Sequence, residues 1–435
     1  MLTSLALVVW IAQSGPAPDL AACLREALER HPELAAASLG VDQARTAVKG
    51  ARAGYLPRLS ASVGEGYTWS GDREYQVGST SQRMGGGSDD THHLSLQLSQ
   101  TLWDGGRYYL EPRRAEVELH RAEVGVETRR ADVALEVTQA FLALHRALRS
   151  EAVLSDALAL SLGQLELAAE RRRLGDASRV DVSRAQVAVG EDRIALERQR
   201  ALVREARVRL AVALGRSPGD PMQVAAFDSG ALLAPEGGAG APGEDHPRLR
   251  ESRLLEEAAA LDVDLATAGH WPRLVGSLSY SRQDPEFYKV YSRFDEIYNL
   301  SLGISMSVPL FEGFATQAAI ESAEVRAEAV RAERRVLVQE LGAAATQALA
   351  SIEALRVVHA IEAENALAAE DSLQLAEERY RLGEGTALEV RDAQLAITRA
   401  RLSQVQTEFD LHMARARLHH AQGDLLATYL REGKP

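Results

Sequence analysis

Four stretches of the chain alternate apolar and polar residues with a period of two. From Tyr298 the even positions are Tyr298, Leu300, Leu302, Ile304, Met306, Val308 and Leu310, while Asn299, Ser301, Gly303, Ser305 and Ser307 hold the odd ones. Leu59, Ala61, Val63, Tyr67 and Trp69 alternate likewise with Ser60, Ser62, Gly64, Gly66 and Thr68, with Glu65 the exception. Leu94, Leu96, Leu98 and Leu102 repeat the pattern, as do Leu274, Leu278 and Tyr280. A period of two is that of a strand with one apolar face, and it predicts strands over about residues 57–70, 92–103, 272–283 and 297–311. A soluble sandwich also buries one face of each strand. What favours a membrane is the other face, built from Ser, Gly, Gln, Asn and Thr with little charge, and the aromatics near the strand ends. Trp69, Tyr75, Phe287, Tyr288, Tyr291, Phe294 and Tyr298 lie near one end, and Trp103, Trp271 and Phe311 near the other. They fit the two interfacial girdles of an outer-membrane barrel, with Leu300, Leu302, Ile304 and Met306 facing lipid. Four strands do not close a barrel; two copies would give eight strands and a filled interior, and three would give twelve and room for a channel.

The remaining pattern is helical. No proline falls between Pro112 and Pro218 or between Pro309 and Pro435, so nothing there forces a helix to break. Val137, Phe141, Leu144 and Leu148, then Leu154, Leu158, Leu162, Leu165 and Ala169, step by three and four with Arg and Glu between them. That is coiled-coil spacing. Helix over residues 107–172 would extend about 100 Å, longer than a compact domain needs.

These elements occur twice. His31-Pro32 and Pro57-Arg58-Leu59 return as His246-Pro247 and Pro272-Arg273-Leu274, a shift of 215 positions. Further on the shift is 208: Leu102-Trp103-Asp104-Gly105 matches Leu310-Phe311-Glu312-Gly313, Arg173-Leu174-Gly175 matches Arg381-Leu382-Gly383, and Gly215 matches Gly423. The chain is two copies of one unit, each ordered helix, strand, loop, strand and two long helical segments. The expected organisation is a secretory signal over residues 1–14, a first repeat over 15–214, a Gly/Pro-rich linker over 215–245, a second repeat over 246–423 and a tail over 424–435. The signal rests on the apolar run at residues 2–12, which no Lys or Arg precedes.

Composition narrows the function. A formal charge of −13 and no basic stripe argue against nucleic-acid binding. Cys23 is the single cysteine, so no intrachain disulfide or Cys-rich metal site forms. Leu20-Ala21-Ala22-Cys23 resembles a lipoprotein box, but Cys23 also fits the helical pattern of Leu20, Leu24, Ala27 and Leu28. His92-His93 and His419-His420 have no carboxylate or thiol at ligand spacing and are expected in a solvated loop and at a helix end. No nucleophile elbow, Walker A loop, HExxH or dinucleotide fingerprint occurs, so neither an enzyme nor a cofactor is expected. No charge-free apolar stretch reaches roughly 18 residues, so any membrane crossing is expected to be by strands.

The strand exits Leu102-Trp103-Asp104-Gly105-Gly106 and Leu310-Phe311-Glu312-Gly313 carry a family resemblance, as does the segment from Arg379 through Gly383-Glu384-Gly385-Thr386 to Gln394. In their order, duplication and spacing they resemble the TolC-type outer membrane efflux family, over almost the whole chain. The resemblance implies an α+β membrane protein: a homotrimer with a twelve-stranded β-barrel in the outer membrane above a twelve-helix antiparallel coiled-coil tube in the periplasm. It implies docking to a periplasmic adaptor and an inner-membrane pump or ABC exporter, hence a passive exit duct for efflux or for type I secretion. A periplasmic coiled coil without a pore is the competing reading, and the alternating strands argue against it. The resemblance further implies that the turns at Gly175 and Gly383, with Ser178 and Thr386 as N-caps, form the adaptor-docking tip. It places Glu389 and Asp392 at a closed aperture, latched by Asp181 and Tyr380. Gly385 stands where the family's latch arginine is expected, so either Arg179, Arg184 or Arg391 replaces it or the gate is looser. The acids also fit a plainer role as helix-start residues stabilised by the dipole.

Overall fold

A computed structural model describes residues 18–78, 80–175, 177–219, 243, 245–292 and 294–432. The expected secretory segment, most of the expected linker and the side chain of Tyr75 lie outside the described residues. In chain order the elements are α1 (Leu20–Arg30), α2 (Pro32–Arg52), β1 (Arg58–Ser70), β2 (Arg73–Val77), β3 (Thr80–Met84), β4 (Gly87–Asp104), α3 (Arg107–Leu174) and α4 (Arg179–Ala213). The second copy adds α5 (Pro247–Thr267), β5 (Arg273–Asp284), α6 (Phe287–Ser292), β6 (Tyr298–Ser307), α7 (Ala315–Leu382), α8 (Ala387–Gln422) and α9 (Leu425–Glu432). The chain packs as two units, one drawn from Met1–Leu39, Val124–Arg250 and Arg335–Pro435, the other from Gly40–Glu123 and Glu251–Arg334.

The second of these holds an antiparallel four-stranded sheet in the order β1-β4-β5-β6. Its register aligns the apolar positions in rows: Leu59, Leu98, Leu278 and Leu302 form one, and Ala61, Leu96, Tyr280 and Leu300 the next. This face is open, with Leu302 82% and Ile304 70% exposed. The opposite face carries serine pairs across the strands, Ser62 with Ser95 at 2.7 Å and Ser279 with Ser301 at 2.6 Å. The sequence pattern misses three features here. A register shift between Thr101 and Trp103 sets Trp103 opposite Leu274, so the bulge brings Trp103 rather than Leu102 into line with the apolar row. β6 ends at Ser307, short of the expected 311, because Pro309 has no N–H to give a ladder and restricts Val308 before it. A hairpin, β2 with β3, and the short helix α6 occupy segments expected to be loop. Helix packing beside the sheet is held by Val117, Ala258 and Leu261 and by ion pairs such as Arg114 with Asp262 and Arg52 with Glu116.

The helical unit centres on a core in which Cys23, Leu24, Ala27, Val137, Phe141, Leu144 and Leu210 meet. Asp19 caps α1 by accepting from the Ala22 amide at 2.7 Å, and Pro32 opens α2, where its missing N–H costs nothing. Burial pushes the Cys23 thiol up to about 12, as for a core side chain. The expected tail forms the helix α9, whose Leu425 and Tyr429 join the same core. Eighteen-residue windows of α3 and α7 reach mean hydropathies of 1.3 and 1.2, long and apolar enough by composition to cross a membrane. Alanine and leucine supply that hydropathy, and Leu160 and Leu167 of α3 pack against Leu373, Tyr380, Val390 and Ile397 of other helices. Of the paired histidines, His419 and His420 lie in the last turn of α8 as expected, and His92 and His93 lie in a strand rather than a solvated loop. His92 lies in β4 with its ring against Phe287, while His419 and His420 reach Asp424 at 3.0 Å and Asp132 at 2.9 Å. Among the described residues no three potential ligands gather as a metal site.

Burial pushes His145 on α3 and His412 on α8 down to about 4; Arg149 adds to the first, while Glu408 opposes and Arg415 and His359 reinforce the second. An unfolded imidazole titrates near 6.5, so between about pH 6.5 and 4 the unfolded chain binds more protons than the folded one and stability falls as pH falls. The melting temperature is therefore expected to drop on acidification from about pH 7 to 4.5, less steeply in His412→Gln. An unchanged slope in that variant would refute the assignment.

Candidate functional site

The two turns that join the long helices are built alike. α3 ends at Gly175 with φ +91° and α7 at Gly383 with φ +83°, a left-handed conformation that glycine adopts without steric cost. After the first, the Ser178 hydroxyl accepts from the Asp181 amide at 3.2 Å and the Asp181 carboxylate accepts from the Ser178 amide at 3.0 Å, a complete capping box. Hydrogen bonds from the Ser178 hydroxyl and amide hold the Asp181 carboxyl below the usual range. After the second, Thr386 accepts from the Glu389 amide at 3.3 Å. Gly175, Ser178, Gly383 and Thr386 thus occupy equivalent positions, 208 residues apart in the two copies.

Tyr380 is 6% exposed in the cluster of Leu373, Val390, Ala393 and Ile397. The Arg171 guanidinium lies 4.7 Å from its ring centroid and donates to its carbonyl at 2.8 Å, joining a cation–π contact to a charge-assisted hydrogen bond. Asp181 and Tyr380 line the same cavity, but no hydrogen bond joins them among the described residues. Glu389 lies 3.5 Å from Arg379 in an exposed pair. Asp392 is exposed one helical turn further along α8, on the face it shares with Glu389.

Gly385 packs against the end of α7, where an added Cβ would lie 3.1 Å from the Tyr380 nitrogen. A larger residue there has to displace backbone. Among the three nearby arginines, Arg391 makes the strongest links. It donates to Asp192 through both guanidinium nitrogens at 2.8 and 3.0 Å, to Ser161 at 3.1 Å and to Glu191 at 3.3 Å. Asp192 hydrogen bonding raises its pKa against the cost of burial. Three helices, α3, α4 and α8, meet at this one side chain. Sequence reasoning missed Arg171 and Asp192. For Arg171 a signal existed, since it matches Arg379 at the 208-residue shift; Asp192 has no such counterpart.

Asp192→Ala is expected to destabilise the helical unit by about 1–3 kcal/mol, because it strands a half-buried guanidinium. Arg193→Ala, at an exposed neighbouring position, is expected to change stability by less than about 0.5 kcal/mol. Denaturant titration followed by circular dichroism checks both, and equal effects would deny Arg391 its bracing role.

Comparison with known proteins bears on the family and the fold. The family model described as outer membrane efflux protein matches residues 23–216 and 244–424, one segment in each repeat. The chain is 22% identical over 340 residues to the outer membrane efflux protein BepC of Brucella suis biovar 1, covering 78% of this chain and 74% of that protein. Among solved structures it superposes on VceC of Vibrio cholerae with a TM-score of 0.76 at 21% identity, covering 93% of this chain and 96% of that one. The CusC channel superposes with a TM-score of 0.81 at 18% identity and 95% coverage of both chains.

Proposed function

The chain belongs to the outer membrane efflux protein family, and on that premise we propose that three copies form one exit duct, each giving four strands to a twelve-stranded barrel. The observation that carries this reading is the sheet itself: one face is apolar and largely exposed, with Leu300, Leu302, Ile304 and Met306 on it, and among the described residues both outer strands have a free edge. A bilayer accepts such a face, and ring closure by neighbouring copies satisfies the edges. The long helices extend the duct through the periplasm, where the turns at Gly175 and Gly383 meet an adaptor that links the duct to an inner-membrane pump or ABC exporter. Outer-membrane lipid then contacts Leu300, Leu302, Ile304 and Met306, while Ser301 and Ser305 face the lumen. Leu302→Arg is expected to cost about 2–4 kcal/mol and to reduce assembly, and Ser301→Arg much less. Trimer yield on mildly denaturing gels reads the difference, and equal damage would overturn the assigned faces.

Glu389 and Asp392 narrow the duct near the second turn, with Asp181 and Tyr380 fixing the helix starts behind them. Three-fold symmetry would bring their carboxylates together, favouring cations. Arg379 beside Glu389 offsets part of that charge, which leaves Asp392 the larger contributor. Asp392→Ala is therefore expected to weaken block by a multivalent cation in planar bilayers more than Glu389→Ala, and the double variant to lose most cation selectivity while the trimer stays intact. Conductance, selectivity and block all matching the parent would reduce both acids to helix-start residues.

A further inference from the structure

We propose that the cavity between the two turns binds a drug-sized amphipathic organic anion. Its volume is about 620 Å³, within the range of small-molecule sites. It lies between the starts of α4 and α8 and the ends of α3 and α7. The mouth is apolar: Val180, Val187 and Leu388 line it and are 56%, 61% and 58% exposed. Two polar features point to a ligand. Gln394, 5% exposed, lines the cavity, and its Nε2 has no hydrogen-bond partner among the described residues. A buried amide N–H without an acceptor is costly, and a ligand oxygen would remove that cost. The second feature is charge. Its lining sets three arginines, Arg179, Arg184 and Arg391, against two acids, Asp181 and Glu191. Neither Arg179 nor Arg184 forms a salt bridge among the described residues. The surplus charge is positive.

An aromatic or aliphatic body against the valines, an oxygen at Gln394 and an anionic group toward Arg179 and Arg184 together use every part of the lining. Such a ligand would brace α4 against α8 at the place where Arg391 already ties them. The lining residues all belong to one chain, and they include Asp181 and Tyr380 of the proposed gate.

Isothermal titration of naphthalene-2-sulfonate into the purified full-length protein in mild detergent tests the site. One saturable site per chain is expected. Gln394→Leu and Arg184→Glu should each weaken binding at least about fivefold, Ala188→Trp should abolish it by filling the cavity, and Arg193→Glu should leave it unchanged. The cationic analogue naphthalen-2-ylmethylammonium should not bind. Unsaturable uptake, equal binding of the cation, or unchanged affinity in both Gln394→Leu and Arg184→Glu would overturn the proposal. Loss of the trimer in Ala188→Trp without any probe binding to the parent would also overturn it, assigning the cavity to a neighbouring copy. If Ala188→Trp does not fold, Gln394→Leu, which removes the orphaned amide at similar size, decides.

Discussion

The constraint on which the structure depends is the pair of free edges left by the order β1-β4-β5-β6. Backbone N–H and C=O groups on an edge strand need partners, and the hydrocarbon region of a bilayer offers none. A sheet of four strands is too narrow to curl round and pair its own edges. Two further observations make sense on that basis. Most of the apolar face is exposed among the described residues, as suits an outside surface rather than half of a sandwich, and the polar face is lined by hydroxyl pairs that suit water. Repetition of the subunit is thus a consequence of backbone hydrogen bonding before any question of cargo arises.

Charges on the apolar parity of the sheet follow the same rule. Glu65, Asp90, Arg282 and Asp284 are the charged residues on that parity, and all sit toward the end of the strands at which β1 meets the start of β4. Glu65 lies opposite His92 in the register and 3.6 Å from it. Arg282 is 1% exposed, donates to the Lys289 carbonyl on α6 and lies 5.0 Å from the Phe294 ring centroid. Helix α6 and Phe294 therefore cover an ionised group that would otherwise stand on an apolar surface. The exposed rings of Phe287, Tyr288 and Tyr298 cluster at the same level, where an amphipathic ring is at home between hydrocarbon and water.

Much of this was legible in the sequence, because period two and period 3.6 are local properties and duplication makes each visible twice. The four-stranded sheet, the long helices and the repeat could be read from Leu300, Leu302, Ile304 and Met306, from the proline-free segments, and from matches such as Gly175 with Gly383. The missed features depend on partners far along the chain. The bulge at Leu102 is defined only by what β5 places opposite it, and α6 forms where Phe287 meets His92 and the Lys289 carbonyl accepts from Arg282. The candidate site divides in the same way. Helix caps at Ser178 and Thr386 are local and readable. The links from Arg171 to Tyr380 and from Asp192 to Arg391 cross about 200 positions, and no pattern within either segment announces them.

Packing also differs along the helical unit, and the difference bears on how a duct of this kind opens. Among the described residues the core that gathers α1, α2, α3, α4, α8 and α9 holds twenty buried residues, with Leu24, Leu144, Leu210 and Leu214 at 0% exposure, whereas the cluster beside the turns holds five. Apolar burial sets most of the free energy against separating helices, so the helix ends near the turns are the part that opens at least cost. Besides that cluster, what ties them to one another is polar: the Arg171 contact to Tyr380 and the fork from Arg391 to Asp192 and Ser161. Such contacts are directional, so a small rotation of a helix start breaks them and an equally small one restores them, while the apolar core behind is little disturbed. Thinly packed helix ends held by directional hydrogen bonds are thus the part of the helical unit that separates most readily, and beside Gly385, which has no side chain, Arg171 and Arg391 supply the bracing from other helices.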